Sequence, residues 1–135
     1  MHRLSSIAAL VLLFSANGYA QSNDQLDAGA AVGGERLFAT YCRACHGRGA
    51  QGDGPLAADL KVKPADLTVL SEKNGGTFPY DMVLETIDHG RSVRGHGTED
   101  MPAWGDAFKM TSQSKDEPKT MMRELAHYLW SLQPK

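Results

Sequence analysis

Apolar residues along the chain fall into helical stretches separated by loops rich in glycine and proline. Between Ala31 and Cys45, the residues Gly34, Phe38, Tyr41, Cys42 and Cys45 recur at three- and four-residue intervals. That period places side chains on one face of a helix, so a helix over roughly 31–45 brings both thiols to the same side. A second helix is predicted from Tyr80 to His89, where Val83, Leu84 and Ile87 form the stripe and Gly90 supplies a left-handed stop. The last helix has the clearest pattern. Met121, Leu125, Tyr128, Leu129 and Leu132 keep helical spacing, Pro118 suits a first turn, and Pro134 closes the run. Alternating strand-like runs are nearly absent and nothing repeats at a fixed period, so the expected class is all-α.

The first twenty residues stand apart. Arg3, the apolar run Ile7 to Phe14 and the small-residue pattern Gly18-Tyr19-Ala20 predict a signal peptide, residues 1–20, cut after Ala20. The run is well short of the ~20 residues that cross a bilayer, so no transmembrane segment is expected in the mature chain, which is exported to the periplasm. Residues 21–30 mix polar and small types without periodicity and are expected to form a flexible lead-in. Residues 31–135 then make one domain. Within it, 47–66 and 90–107 are irregular stretches too long for ordinary connections, which calls for a large apolar group inside for them to pack on.

Charge narrows the partners only slightly. Without Arg3, 13 basic residues face 16 acidic ones, for a formal charge of −3. There is no like-charge block and no basic stripe, which argues against nucleic acid.

The two cysteines carry more information. A Cys-x-x-Cys pair closes too small a loop to constrain the unfolded chain much, so a structural disulfide explains it poorly. Cys42-Arg43-Ala44-Cys45-His46 has the spacing of haem attachment. Two thiols three positions apart on a helical turn can each reach one vinyl group of the same haem edge, and the following imidazole can point at the iron. Zinc would need about four ligands, and His89, His96 and His127 have no finger-like spacing relative to this motif. A thiol oxidoreductase would be expected in a βαβ setting. Both rivals fit less well than haem.

Over about residues 33–132 the chain resembles a class I c-type cytochrome of the small bacterial periplasmic kind, with Gly34 and Phe38 at four-residue steps before Cys42. The resemblance implies a small cytochrome c fold: three to five helices and long loops wrapped around one covalently bound haem c. It implies that the first and last helices cross at Gly34, against Leu125 and Tyr128. Pro64-Ala65-Asp66-Leu67 resembles the family's loop whose proline carbonyl accepts a hydrogen bond from the proximal imidazole, with Pro55 as the competing candidate for that carbonyl. Asp100-Met101-Pro102-Ala103-Trp104-Gly105 resembles the loop that brings a Met sulfur to the iron, making Met101 the expected partner of His46 as axial ligand.

Met82, Met110, Met121 and Met122 lie in or beside helical stretches and are expected to be core filler. His89 and His96 are alternative ligands, Arg91, Arg94, Lys61 and Lys63 are possible propionate partners, and Trp104 could pack over the haem edge. A longer polar stretch than relatives have, Lys109 to Lys119, separates the Met loop from the last helix, and Ser114 with Glu117 could form a capping box. The expected function is electron transfer between redox protein partners, as a shuttle or as the cytochrome subunit of a respiratory dehydrogenase or oxidase. The alternative is a peroxidase-like haem enzyme with an open or labile distal position.

Overall fold

The structure, a computed structural model, describes residues 25–90 and 101–134. The predicted signal peptide, residues 21–24 of the lead-in and, further along, Arg91, Arg94, His96 and Asp100 lie outside the described residues. Six α-helices and no strand occur among the described residues: α1 (Ala28–Tyr41), α2 (Arg43–His46), α3 (Leu70–Lys73), α4 (Tyr80–His89), α5 (Trp104–Thr111) and α6 (Glu117–Ser131). The all-α expectation holds, with one helix more than the expected range because α2 and α3 are single turns.

Helix α1 starts three residues before the predicted Ala31, so the end of the expected flexible lead-in is structured. The cause is Asp27, whose carboxylate accepts from the Ala30 backbone N–H at 3.0 Å and caps the helix. The single helix expected over 31–45 is divided at Cys42, and α2 stops at Gly47. Helix α4 matches its predicted span. In α6, Pro118 sits in the first turn as expected.

Helix α5 was not predicted, and it occupies parts of both the irregular 90–107 stretch and the polar 109–119 stretch. Its apolar signal is little more than the pair Trp104 and Phe108, too short a period to read as a helix without its neighbours. The capping-box residues do engage each other, displaced by one position. Glu117 N–H donates to Ser114 Oγ at 3.3 Å, while the Glu117 carboxylate accepts from Gln113 N–H at 2.7 Å rather than from Ser114.

Helices α1 and α6 form the main packing unit. A Cβ on Gly34 would lie 2.5 Å from the Glu124 carbonyl carbon and 2.7 Å from Tyr128 Cβ, so only hydrogen fits between the backbones. The helices therefore cross at Gly34 as expected, with Tyr128 at the contact, but the Glu124 backbone rather than Leu125 is what Gly34 meets. Leu125 instead turns into the core with Phe38, Val83, Ile87, Phe108, Met122 and Leu129. Phe38 and Tyr128 extend the contact with ring centroids 5.3 Å apart.

Candidate functional site

Cys42 and Cys45 are free and half-buried at the end of the α1–α2 rod, with His46 immediately after. The turn is held by backbone bonds from Cys45 N–H and His46 N–H to the Cys42 carbonyl, at 3.2 and 2.9 Å. Burial, and then the neighbouring Cys45, push the Cys42 thiol up to about 12. A thiol-exchange cysteine needs the opposite shift, toward the thiolate, so this turn is poorly suited to disulfide chemistry. No group of three or more His, Cys, Asp or Glu able to hold a metal ion occurs among the described residues.

Burial lowers the His46 pKa, partly offset by a hydrogen bond to a backbone carbonyl, so the neutral imidazole is favoured near pH 7. Its Nδ1 lies 3.1 Å from the Ala65 carbonyl. A carbonyl can only accept, so Nδ1 carries the proton and the Nε2 lone pair is left to face a ligand. The acceptor is Ala65, not Pro64 or Pro55 as expected from the sequence. Pro64 instead turns its carbonyl toward Gly52, whose φ of +77° and missing Cβ permit that approach. The loop from Gly47 to Pro55 folds back on the Cys42–His46 turn, with Gly52 N–H donating to the His46 carbonyl at 2.8 Å and Gly54 N–H to that of Cys45 at 3.1 Å.

Met101 is half-buried and packs on the same apolar cluster as Tyr41, Cys42, Leu67, Leu70, Leu84 and Trp104. Its backbone runs against the end of α4, where a Cβ on Gly90 would lie 2.7 Å from the Met101 carbonyl oxygen. Gly90 has φ +72°, so both its conformation and its lack of a side chain let the loop in. The other methionines divide. Met122 is buried and Met121 half-buried, whereas Met82 and Met110 are 55% and 82% exposed and are not core filler. His89 is exposed at the end of α4, with its Nε2 3.6 Å from an Asp88 carboxylate oxygen. Lys61 and Lys63 are exposed. Trp104 packs on Tyr41 and Phe108.

The donor set fits a haem: two free thiols on one turn, an oriented neutral imidazole next to them, and half-buried leucines and aromatics nearby. Sequence reasoning missed three groups: the Ala65 carbonyl beside His46, the buried His127 of α6, and Gln133 near the C-terminus. No residue-type pattern marks a backbone carbonyl, and His127 and Gln133 act through partners about 50 to 100 positions away.

An all-α chain folded on itself around a Cys-x-x-Cys-His turn is a class I c-type cytochrome. More particularly, the chain belongs to the family described as cytochrome C oxidase, cbb3-type, subunit III, which it matches over residues 29–117. Haem binding and electron transfer follow from that membership. Among solved structures, the fold is similar to a chain of the Kuenenia stuttgartiensis reducing HAO-like protein complex Kustc0457/Kustc0458, with a TM-score of 0.55 and 21% identity. The match covers 82% of this chain and 46% of the other, so this chain spans less than half the length of that relative. Comparison with curated proteins gives no match. No helix among the described residues is long and apolar enough to cross a membrane.

Proposed function

We propose that the protein is a periplasmic electron carrier holding one haem c, joined by thioethers to Cys42 and Cys45 and ligated by His46 Nε2 and Met101 Sδ. The observation that carries this reading is the His46 Nδ1–Ala65 carbonyl bond, which fixes the tautomer whose Nε2 can bind iron, one residue beyond the second thiol. When bound, the haem supplies a one-electron Fe(III)/Fe(II) couple. The chain's own work is to anchor it, orient the imidazole, exclude water and close the distal side with a neutral thioether that favours the ferrous state. The redox partners are proteins, and the chain acts as a shuttle or as the cytochrome subunit of a larger oxidoreductase. The family description and the likeness to a chain of a protein complex support the second role.

Acid denaturation followed by organic extraction tests the attachment. The haem is expected to stay with the protein, and Cys42→Ala with Cys45→Ala to yield a chain that does not retain it. Haem passing wholly into the organic layer from the parent protein would sink the thioether assignment. Rapid carbon monoxide binding or peroxide turnover by the reduced parent would favour a haem enzyme instead.

A further inference from the structure

Gln133, two residues beyond the end of α6, uses every polar group of its side chain on one remote segment and on the last turn of that helix. Its Oε1 accepts from Ser71 N–H at 2.9 Å, and its Nε2 donates to the Leu67 carbonyl at 2.8 Å and to the Leu129 carbonyl at 2.7 Å. Two carbonyls face the nitrogen and one N–H faces the oxygen, so only one orientation of the amide satisfies all three. The carboxamide thereby joins the end of α6 to residues 67–71.

Those residues directly follow the carbonyl that orients His46. Leu67 is held from its other side as well, because its N–H donates to the Ala50 carbonyl at 2.8 Å. Ala50 is fully buried with φ +60°, a conformation costing about 1 kcal/mol or more for a residue with a side chain, and it is kept there by the surrounding loop. Asp66 caps the turn between them, accepting from Thr68 N–H at 2.9 Å and from Thr68 Oγ1 at 2.6 Å. The Ala65 carbonyl thus stands at the start of a segment tied on one side to the attachment loop and on the other to α6, and Gln133 is the α6 tie.

We propose that Gln133 is a positioning residue for the proximal ligand: by clamping 67–71 onto α6 it holds the Ala65 carbonyl against His46 Nδ1 and so sets the basicity of the imidazole. This rests on the reading of His46 as an axial ligand. A firmly held carbonyl draws the Nδ1 proton and makes the ligand a stronger donor, which favours the ferric state. Loosening it should raise the reduction potential. A carboxylate at this position can accept from Ser71 but cannot donate to either carbonyl, so Gln133→Glu removes two bonds with almost no change in size.

The test uses the full haem-loaded protein with Gln133→Glu, Gln133→Ala and, as control, Ser131→Ala, which loses only its bond to the Tyr128 carbonyl. Both Gln133 variants are expected to show a raised potential and exchange of the His46 Nδ1 proton about tenfold faster, the scale of one weakened hydrogen bond, with the control near parent values. Exchange at the Ser71 amide should rise in parallel, a readout independent of the iron. If Ser71 exchange rises while the potential and Nδ1 exchange stay at parent values, Gln133 is a structural tie only and the proposal is overturned. His46→Ala run alongside separates the two levels. An unchanged haem spectrum there would remove the ligand reading and this proposal with it, whereas a changed one leaves the Gln133 variants to decide.

Discussion

Tyr41 and Trp104 meet ring to ring, with centroids 5.4 Å apart and planes tilted by 58°. Tyr41 directly precedes Cys42 and Trp104 follows Met101 by three, so this pair links the Cys42–His46 turn to the candidate distal loop. Phe108 completes the cluster, 5.2 Å from Tyr41 and 6.0 Å from Trp104. Trp104→Ala is expected to cost about 2–3 kcal/mol, below the value for a fully buried aromatic because Trp104 is half-exposed. Denaturant unfolding measures that loss. The haem spectrum should also show weakened distal ligation, while Trp104→Phe keeps it, since a second ring can still pack on Tyr41.

The α1–α6 crossing makes a sharp contrast between neighbouring glycines. At Gly34 an added methyl meets the Glu124 backbone, which cannot move without separating the helices. Gly34→Ala should therefore destabilise by about 3 kcal/mol, at the upper end for overpacking. At Gly33 the nearest atoms, 2.6 Å away, are the end of the Glu124 side chain, which can swing aside. Gly33→Ala should be close to neutral, because better helix propensity offsets the shift by up to about 1 kcal/mol. Thermal denaturation of the two holoproteins compares them directly.

This contrast also marks what could be read from the chain alone. Repeating apolar positions carry the helices whose neighbours repeat, so α4 and α6 were legible, whereas the crossing at Gly34 came only from the family resemblance. Helix α5 was not, since one aromatic pair makes no period. At the site, Cys42, Cys45 and His46 are adjacent in sequence and their geometry follows from one turn of helix. The Ala65 carbonyl was misplaced by one residue, because a backbone acceptor depends on the path of a loop that Gly52 and Ala50 shape through positive φ. Gln133 was invisible because a glutamine bridging 62 positions carries no local signal.

Stability should fall in mild acid through His127. This imidazole is 4% exposed; its Nδ1 accepts from Asp27 N–H at 3.1 Å, so the proton sits on Nε2, which faces Tyr80 Oη at 3.3 Å. Burial lowers its pKa; Asp27 opposes the shift and Arg123 adds to it. The unfolded chain, titrating near 6.5, then binds more protons than the folded one below that pH, so stability is full above it and declines as pH falls. Protonation also sets two donors against each other at Nδ1 and loosens the start of α1. Asp27, whose pKa is lowered chiefly by the Ala30 backbone bond, contributes in a separate window near and below 3.8. His127→Phe should flatten the urea midpoint against pH between about 5 and 7 in the holoprotein; an unchanged slope would assign it to another group.

The distal assignment has its own test, because the Met101 loop is held against Gly90. If Met101 Sδ closes the sixth position, Met101→Ala should lower the reduction potential and raise reactivity of the reduced protein toward carbon monoxide and of the protein toward peroxide. Gly90→Ala should move the same observables in the same direction without touching the sulfur. Its methyl would crowd the Met101 carbonyl and its φ of +72° disfavours any side chain, so the loop must shift. Met82→Leu and Met110→Leu, at exposed positions, should change stability by less than about 0.5 kcal/mol and leave the potential alone. Met121→Leu and Met122→Leu should cost no more than about 1.5 kcal/mol of packing. A spectrum and potential indifferent to Met101→Ala but altered by a change at His89 or His96 would replace the thioether with a second imidazole. Agreement between Met101→Ala and Gly90→Ala would tie the ligand to the loop geometry, since the two changes have only the position of residue 101 in common.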